Sequence, residues 1–179
     1  MSLVEIKIDD AECLRVMDMI FNKVEHREPL MNEIAGIMHD AVEENFEKEG
    51  RPGKWALLAK STIRQRKAKG HWPGKILQVR GRLAASIQTR ADNNNAAVGT
   101  NVVYAKIQHF GGATKHAARQ RTLHFSGKRF SKPKKANRIL WVSGKAYEAT
   151  IPARPFLHLE PVDLQKILTA ARSFYAKAY

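Results

Sequence analysis

The stretch from Pro29 to Gly53 commits this chain to an amphipathic helix that something must cover. Leu30, Ile34, Ile37, Met38, Ala41, Val42 and Phe46 recur at three- and four-residue spacing, the repeat that lines one helical face. Pro29 suits a first turn, where a missing N–H costs nothing, and Gly50 followed by Pro52 and Gly53 ends the run. Asp9 and Asp10 precede a second such segment, residues 10–25, in which Cys13, Met17, Ile20, Phe21 and Val24 keep helical spacing. Both helices are acidic, and each needs a partner surface for its apolar face.

With 179 residues, 44% of them hydrophobic, the chain has material for one globular domain with a real core. The expected organisation is a single domain over 1–179, with acidic helices at about 10–49 and a basic loop insertion at about 113–138. Cys13 is the only cysteine, so an intrachain disulfide and zinc sites built on two or four cysteines are excluded. The opening MSLVEIKIDD has no basic leader pattern, and no run of 18 apolar residues occurs. Synthesis in the cytoplasm and no membrane partner are therefore expected.

Charge is strongly segregated. Residues 1–49 hold 13 acidic and 5 basic side chains, residues 50–147 hold 1 and 22, and the remainder 3 and 4. Such a layout suits a phosphate backbone, whose neutralisation releases counterions. It equally suits a head-to-tail contact in which the acidic end of one copy meets the basic part of the next. A merely solvated basic surface is the plain alternative.

Between these blocks the chain alternates short elements. A brief helix is expected from Ser61 or Thr62 to Gly70, flanked by Trp55 and Trp72. ILQVRGRLAASIQTRAD, from Ile76, reads as a helix passing into a strand, followed by a polar DNNN turn, a strand at AAVGT and one or two helical turns at YAKIQHFGG. Residues 113–138 contain nine Lys or Arg and no acid, and are expected to form a long loop between short strands near 121–125 and 139–143. A strand, a proline-bounded corner and a helix from about Val162, striped by Leu164, Ile167, Leu168, Ala171, Phe174 and Tyr175, complete an α+β fold: a small antiparallel sheet packed with N-terminal and C-terminal helices, plus the basic loop.

No chemistry-bearing constellation stands out. His109, His116 and His124 lack metal-site spacing and sit among Lys and Arg that repel cations. Asp92 is the sole acid of residues 50–147, which leaves no carboxylate pair for acid–base or two-metal work there, and argues against a nuclease. No catalytic residue, metal or cofactor is assigned. The strongest functional signal is the set Lys128, Arg129, Lys132, Lys134, Lys135 and Arg138, interleaved with aromatics, which can lie along phosphates or an acidic partner. Gly99, Gly111 and Gly112 read as backbone-permissive positions, Tyr104 and Phe110 as core area, and Arg154-Pro155-Phe156 as a fixed corner.

Four stretches in order carry a resemblance: Trp55-Ala56-Leu57-Leu58 with Ser61-Thr62-Ile63; Ile76-Leu77 with Gly81-Arg82-Leu83-Ala84-Ala85-Ser86-Ile87; VGTNVVYAKIQHFGG, containing Gly99, Tyr104, Ala105, Gln108, His109, Gly111 and Gly112; and Ile151 to Leu157, containing Arg154, Pro155 and Phe156. Together, over about residues 30–175, the chain resembles the Mu-like phage virion morphogenesis or tail-completion family. That family orders histidine before glutamine where this chain has Gln108 before His109. The resemblance implies a non-enzymatic assembly protein of the neck or tail end, within the virion and, during assembly, the host cytoplasm. It implies copies closing a ring, with six expected, around the DNA passage and against tail-tube or head-connector proteins. A stand-alone, sequence-nonspecific nucleic-acid-binding protein is the alternative.

Overall fold

The stripe over residues 30–46 folds as its spacing requires. In the computed structural model, which describes residues 10–130 and 132–176, it forms α2, Glu28–Glu47, with Leu30, Ala35, Ala41, Val42 and Phe46 buried. The other helices are α1, Ala11–Glu25; α3, Lys60–Ala68; α4, Ala105–Phe110; and α5, Pro161–Ala176. Strands are β1, Ile87–Ala91; β2, Ala96–Thr100; β3, Gly112–His116; β4, Arg119–Ser126; β5, Arg129–Phe130; β6, Arg138–Gly144; and β7, Tyr147–Ile151. The class is α+β, with three small antiparallel sheets among the described residues, β1-β2, β3-β7 and β5-β4-β6, where one was expected. No helix among the described residues is long and apolar enough to cross a membrane.

The backbone divides into two compact units, one made of residues 1–105 and 154–179, the other of residues 106–153. In the first, α2 packs on α5 and on the β1-β2 hairpin. Its core gathers Val42, Phe46, Trp55, Leu83, Ile87 and Phe156, the last with no exposed surface. The Phe46 ring meets Trp55 edge-on at 5.8 Å and lies 5.4 Å from Phe156, geometries that aromatic quadrupoles favour. The DNNN turn closes on itself: the Asp92 carboxylate accepts the Asn94 and Asn95 N–H groups, both at 2.8 Å, and these bonds hold its pKa down.

A buried polar network crosses this unit. Arg51 donates through Nε to Asn45 Oδ1 at 2.8 Å, through Nη1 to Glu44 at 2.6 Å, and through Nη2 to the Ala41 carbonyl and Asp163 Oδ2, both at 2.9 Å. The Asn45 amide reaches the carbonyls of Phe156 and His158 at 2.9 and 2.8 Å. Gly50 permits the tight return behind α2: at φ +112°, a Cβ there would lie 2.6 Å from the Gly53 carbonyl and 2.8 Å from the Trp55 ring.

Three expectations are corrected. The helix before β1 shrinks to a single 3-10 turn, Ala84–Ser86, because Gly81 breaks the run and Leu83 turns into the core. On α5 the buried residues are Asp163 and Ala170, while Leu164 and Leu168 are exposed, so the Asp163–Arg51 pair sets the rotation of the helix. The strands expected near 121–125 and 139–143 form as β4 and β6, with Thr122, Leu123, His124 and Phe125 opposite Trp141, Leu140, Ile139 and Arg138, but the loop is shorter than expected, because Gly112–His116 and Arg129–Phe130 are strand as well and β4 already begins at Arg119. Among described residues of the second unit none is buried.

Two outcomes follow from this packing. Burial alone would raise the Asp163 carboxyl, but the Glu160 N–H, the Arg51 guanidinium and the Lys166 ammonium outweigh it, so the folded-state pKa is lowered. A lowered carboxylate pKa contributes stability above its unfolded value that is lost as pH falls through the folded one. In urea titrations followed by tryptophan fluorescence, Asp163→Asn should cost about 3 kcal/mol at neutral pH and flatten that acid-side decline. At Gly111, φ is +73° and a Cβ would sit 2.7 Å from Ala153 N, so Gly111→Ala should destabilise the second unit by about 1–3 kcal/mol, read as faster amide hydrogen exchange in β3 and β7.

Candidate functional site

Residues 106–153 carry eleven Lys or Arg and one acid, Glu148. They build two β-ribbons, here called the arm. At its tip Gly127, with φ +63°, makes the turn between β4 and β5, its N–H donating to Asn137 Oδ1 at 3.1 Å. Asn137 N–H donates in turn to the Phe125 carbonyl at 2.9 Å, and the Phe125 and Phe130 rings stack at 4.7 Å. Around this knot the sequence candidates come together: Lys128 and Arg129 at the turn and on β5, Lys132 beside it, Lys134 and Lys135 on a 3-10 turn, and Arg138 opening β6, all exposed. A dense cationic tip of this kind attracts phosphates or carboxylates without selecting a base sequence.

Pair register sorts the β4-β6 ribbon into two faces, because directly opposed residues point the same way. One face carries Leu123 opposite Leu140, Arg121 opposite Val142, and Phe125 flanked by Arg138 and Phe130. The other carries Trp141 opposite Thr122 and Ile139 opposite His124. Trp141, exposed and absent from the sequence candidates, was legible only through strand alternation. Arg119 and Arg121 extend the basic surface along β4.

Among the described residues His109, His116 and His124 do not come together as a group of potential metal ligands. His116 stacks on Tyr147 at 4.6 Å, His109 meets the Phe110 ring at 4.5 Å, and His124 lies half-buried on β4. Among the described residues, three potential ligands converge at His39, Asp40 and Glu43 on α2, where the two acids are exposed.

The resemblance-bearing residues separate by role. Trp55, Leu83, Ala105 and Phe156 share the first unit's core. Arg154 is buried and donates through Nε and Nη2 to the Ala56 carbonyl at 3.2 and 3.0 Å, holding the corner that Pro155 continues. Desolvation, then the charge of Arg66, lowers its pKa. Gly81, at φ +68°, precedes the 3-10 turn Ala84–Ser86, and Gly112 opens β3. Two readings are corrected: Gly99 lies in β2 where a Cβ would meet nothing, and Tyr104 and Phe110 are surface residues rather than core, Phe110 being 71% exposed at the end of a helix only six residues long. Gln108 and His109, about 100° apart around that helix, are half-buried.

One further surface was not anticipated as free. The stripe of α1 forms but stays uncovered, with Met17 62% and Phe21 61% exposed. Its C-terminal end is tied down: Lys23 Nζ donates to the Phe174 carbonyl at 2.7 Å, and Asn93 Nδ2 to the Glu25 carbonyl at 2.6 Å.

Comparison with known proteins gives the chain its relatives. Residues 8–174 match the phage virion morphogenesis family. The chain is 34% identical over 174 residues to Mu-like prophage FluMu G protein 2 of Haemophilus influenzae, covering 97% of this chain and 96% of that protein. It is 28% identical over 142 residues to the putative capsid assembly protein G of Escherichia phage Mu, covering 78% and 73%. No solved structure matches. This chain belongs to the phage virion morphogenesis family and has a structural role in phage assembly.

Proposed function

We propose that the protein works at the neck or tail end of the virion, where several copies, six by expectation, close a ring around the DNA passage and meet tail-tube or head-connector proteins. The arm carries this reading. It has eleven basic residues against one acidic, and no buried side chain among its described residues, so cover gained from neighbours would supply the packing it lacks. The tip lysines and arginines face the passing duplex, whose backbone they meet without reading bases. No catalytic step is assigned: the one acid of the arm, Glu148, pairs across β3-β7 with Lys115. The second reading, a stand-alone nucleic-acid-binding protein, shares the tip chemistry but requires no ring.

Oppositely charged surfaces steer encounter more than they hold a complex. Ring assembly from monomers should therefore slow as added salt shortens the Debye length from about 10 Å to about 3 Å, measured by light scattering and native mass spectrometry. A chain that is monomeric at every salt and protein concentration, and does not join purified heads or tails, would defeat the ring.

Changing Lys128, Arg129, Lys132, Lys134 and Lys135 together to Ser or Gln should leave the first unit folded and reduce the salt slope of duplex-DNA binding by about 0.9 for each phosphate no longer neutralised. An unchanged slope, together with failure of tail completion in vitro, would instead set the tip against an acidic protein neighbour.

A further inference from the structure

We propose that α1 of one copy docks on the arm of the next, laying its Leu14, Met17, Phe21 and Val24 stripe across the β4-β6 face that presents Leu123, Leu140 and Phe125. This rests on the ring reading and assigns its copy-to-copy contact. Both surfaces are amphipathic and neither is covered: all four stripe residues are exposed, Leu123 and Phe125 are only half-buried, and Phe130 beside them is 75% exposed. An apolar helix stripe against an apolar sheet face is the ordinary two-layer solution for burying both. Dimensions agree. Leu14 to Val24 spans about 15 Å along a helix at 1.5 Å per residue. Arg121 to Phe125 spans about 13 Å along a strand at 3.3 Å per residue.

Charge decides the occupant. Arm on arm would set eleven-to-one basic surfaces against each other, whereas residues 10–25 carry Asp10, Glu12, Asp18 and Glu25 against Arg15 and Lys23. Arg121 and Arg138, which share the apolar sheet face, are placed to meet those acids. The stripe spacing of three, four and three residues also permits two α1 helices to pair with each other. That pairing would be isologous, would leave the arm face bare and would stop at a dimer, whereas helix-on-arm contact is heterologous and propagates until it closes.

Complementary variants separate these outcomes. A chain with Met17→Glu and Phe21→Glu keeps its arm, and a chain with Leu123→Glu and Leu140→Glu keeps its α1. By native mass spectrometry the wild type should form a closed oligomer, each variant alone should stay monomeric, and their mixture should give a one-to-one dimer and nothing larger, since one intact contact remains. Because the arm substitutions can disturb the ribbon, a second measurement uses Cys13, the only cysteine, which is exposed and shares the helix face of Met17. With Leu140→Cys added to the otherwise wild-type chain, mild oxidation should give a ladder of linked copies, while Cys13 alone should link none. Dimers through Cys13 alone, or an arm variant that still assembles, would overturn the docking while leaving the ring intact. A link formed within single copies at high dilution would likewise overturn it. A monomeric wild type would fail the ring itself.

Discussion

A buried guanidinium organises the larger unit. Removing Arg51 from water is expensive, and the cost is offset only where its donors meet well-placed acceptors. Ala41, Glu44 and Asn45 supply these from α2, and Asp163 supplies one from the first turn of α5, so two helices far apart in sequence are pinned by one side chain. Asn45 then passes the constraint on: with Oδ1 occupied by Arg51, its amide faces the Phe156 and His158 carbonyls and draws the 156–158 segment against α2. Phe156 is thereby placed in the core beside Phe46. Ala105 and Arg154, the residues of this unit that border residues 106–153 in the chain, are both buried.

How much of this was legible depended on whether a local pattern or a long-range partner decided the outcome. The stripe at 30–46, the stop at Gly50 and the turn at Asp92 are local, and all three appear where spacing and turn chemistry place them. The rotation of α5 was legible only in part: Ile167, Ala171, Phe174 and Tyr175 of the expected stripe are half-buried, but Leu164 and Leu168 are exposed, and the buried Asp163 and Ala170 lay outside it. What selects the face is Asp163, whose partner lies 112 residues away. Residues 113–138 were legible in part: the strands near 121–125 and 139–143 appear as β4 and β6, while β3 and β5 were hidden by the charge around them, because Arg and Lys sit comfortably on a ribbon open to water. The candidate tip was legible as a charge run. The sheet face beside it was not, because which residues share a face is fixed only once β4 and β6 are paired.

The two units solve stability differently. The first buries Phe156, Leu83, Val42 and the Asn45–Arg51–Asp163 network, a conventional core. The second closes backbone hydrogen bonds across two ribbons and adds aromatic pairs, His116 on Tyr147 and Phe125 on Phe130, without burying any described side chain fully. Ribbons of that kind are marginal in water, because ordering the chain costs conformational entropy that little buried area repays. Cover by a neighbour in an assembled virion would stabilise such ribbons by mass action, and folding of the arm and association would then be linked.

Such an arm brings a hazard, since open ribbon edges invite strand-to-strand pairing between free copies. The sheet order leaves β5 and β6 at the edges of one sheet, and both strands of the β3-β7 pair at the edges of another. Arg129, Arg138 and Lys115 stand on these edge strands. Their charge opposes edge pairing between two arms, because every arm presents the same sign, yet it favours approach of an acidic surface. The positive charge thus does two things at once. It opposes the joining of one uncovered arm to another, and it would favour an acidic surface such as the helices over residues 10–49.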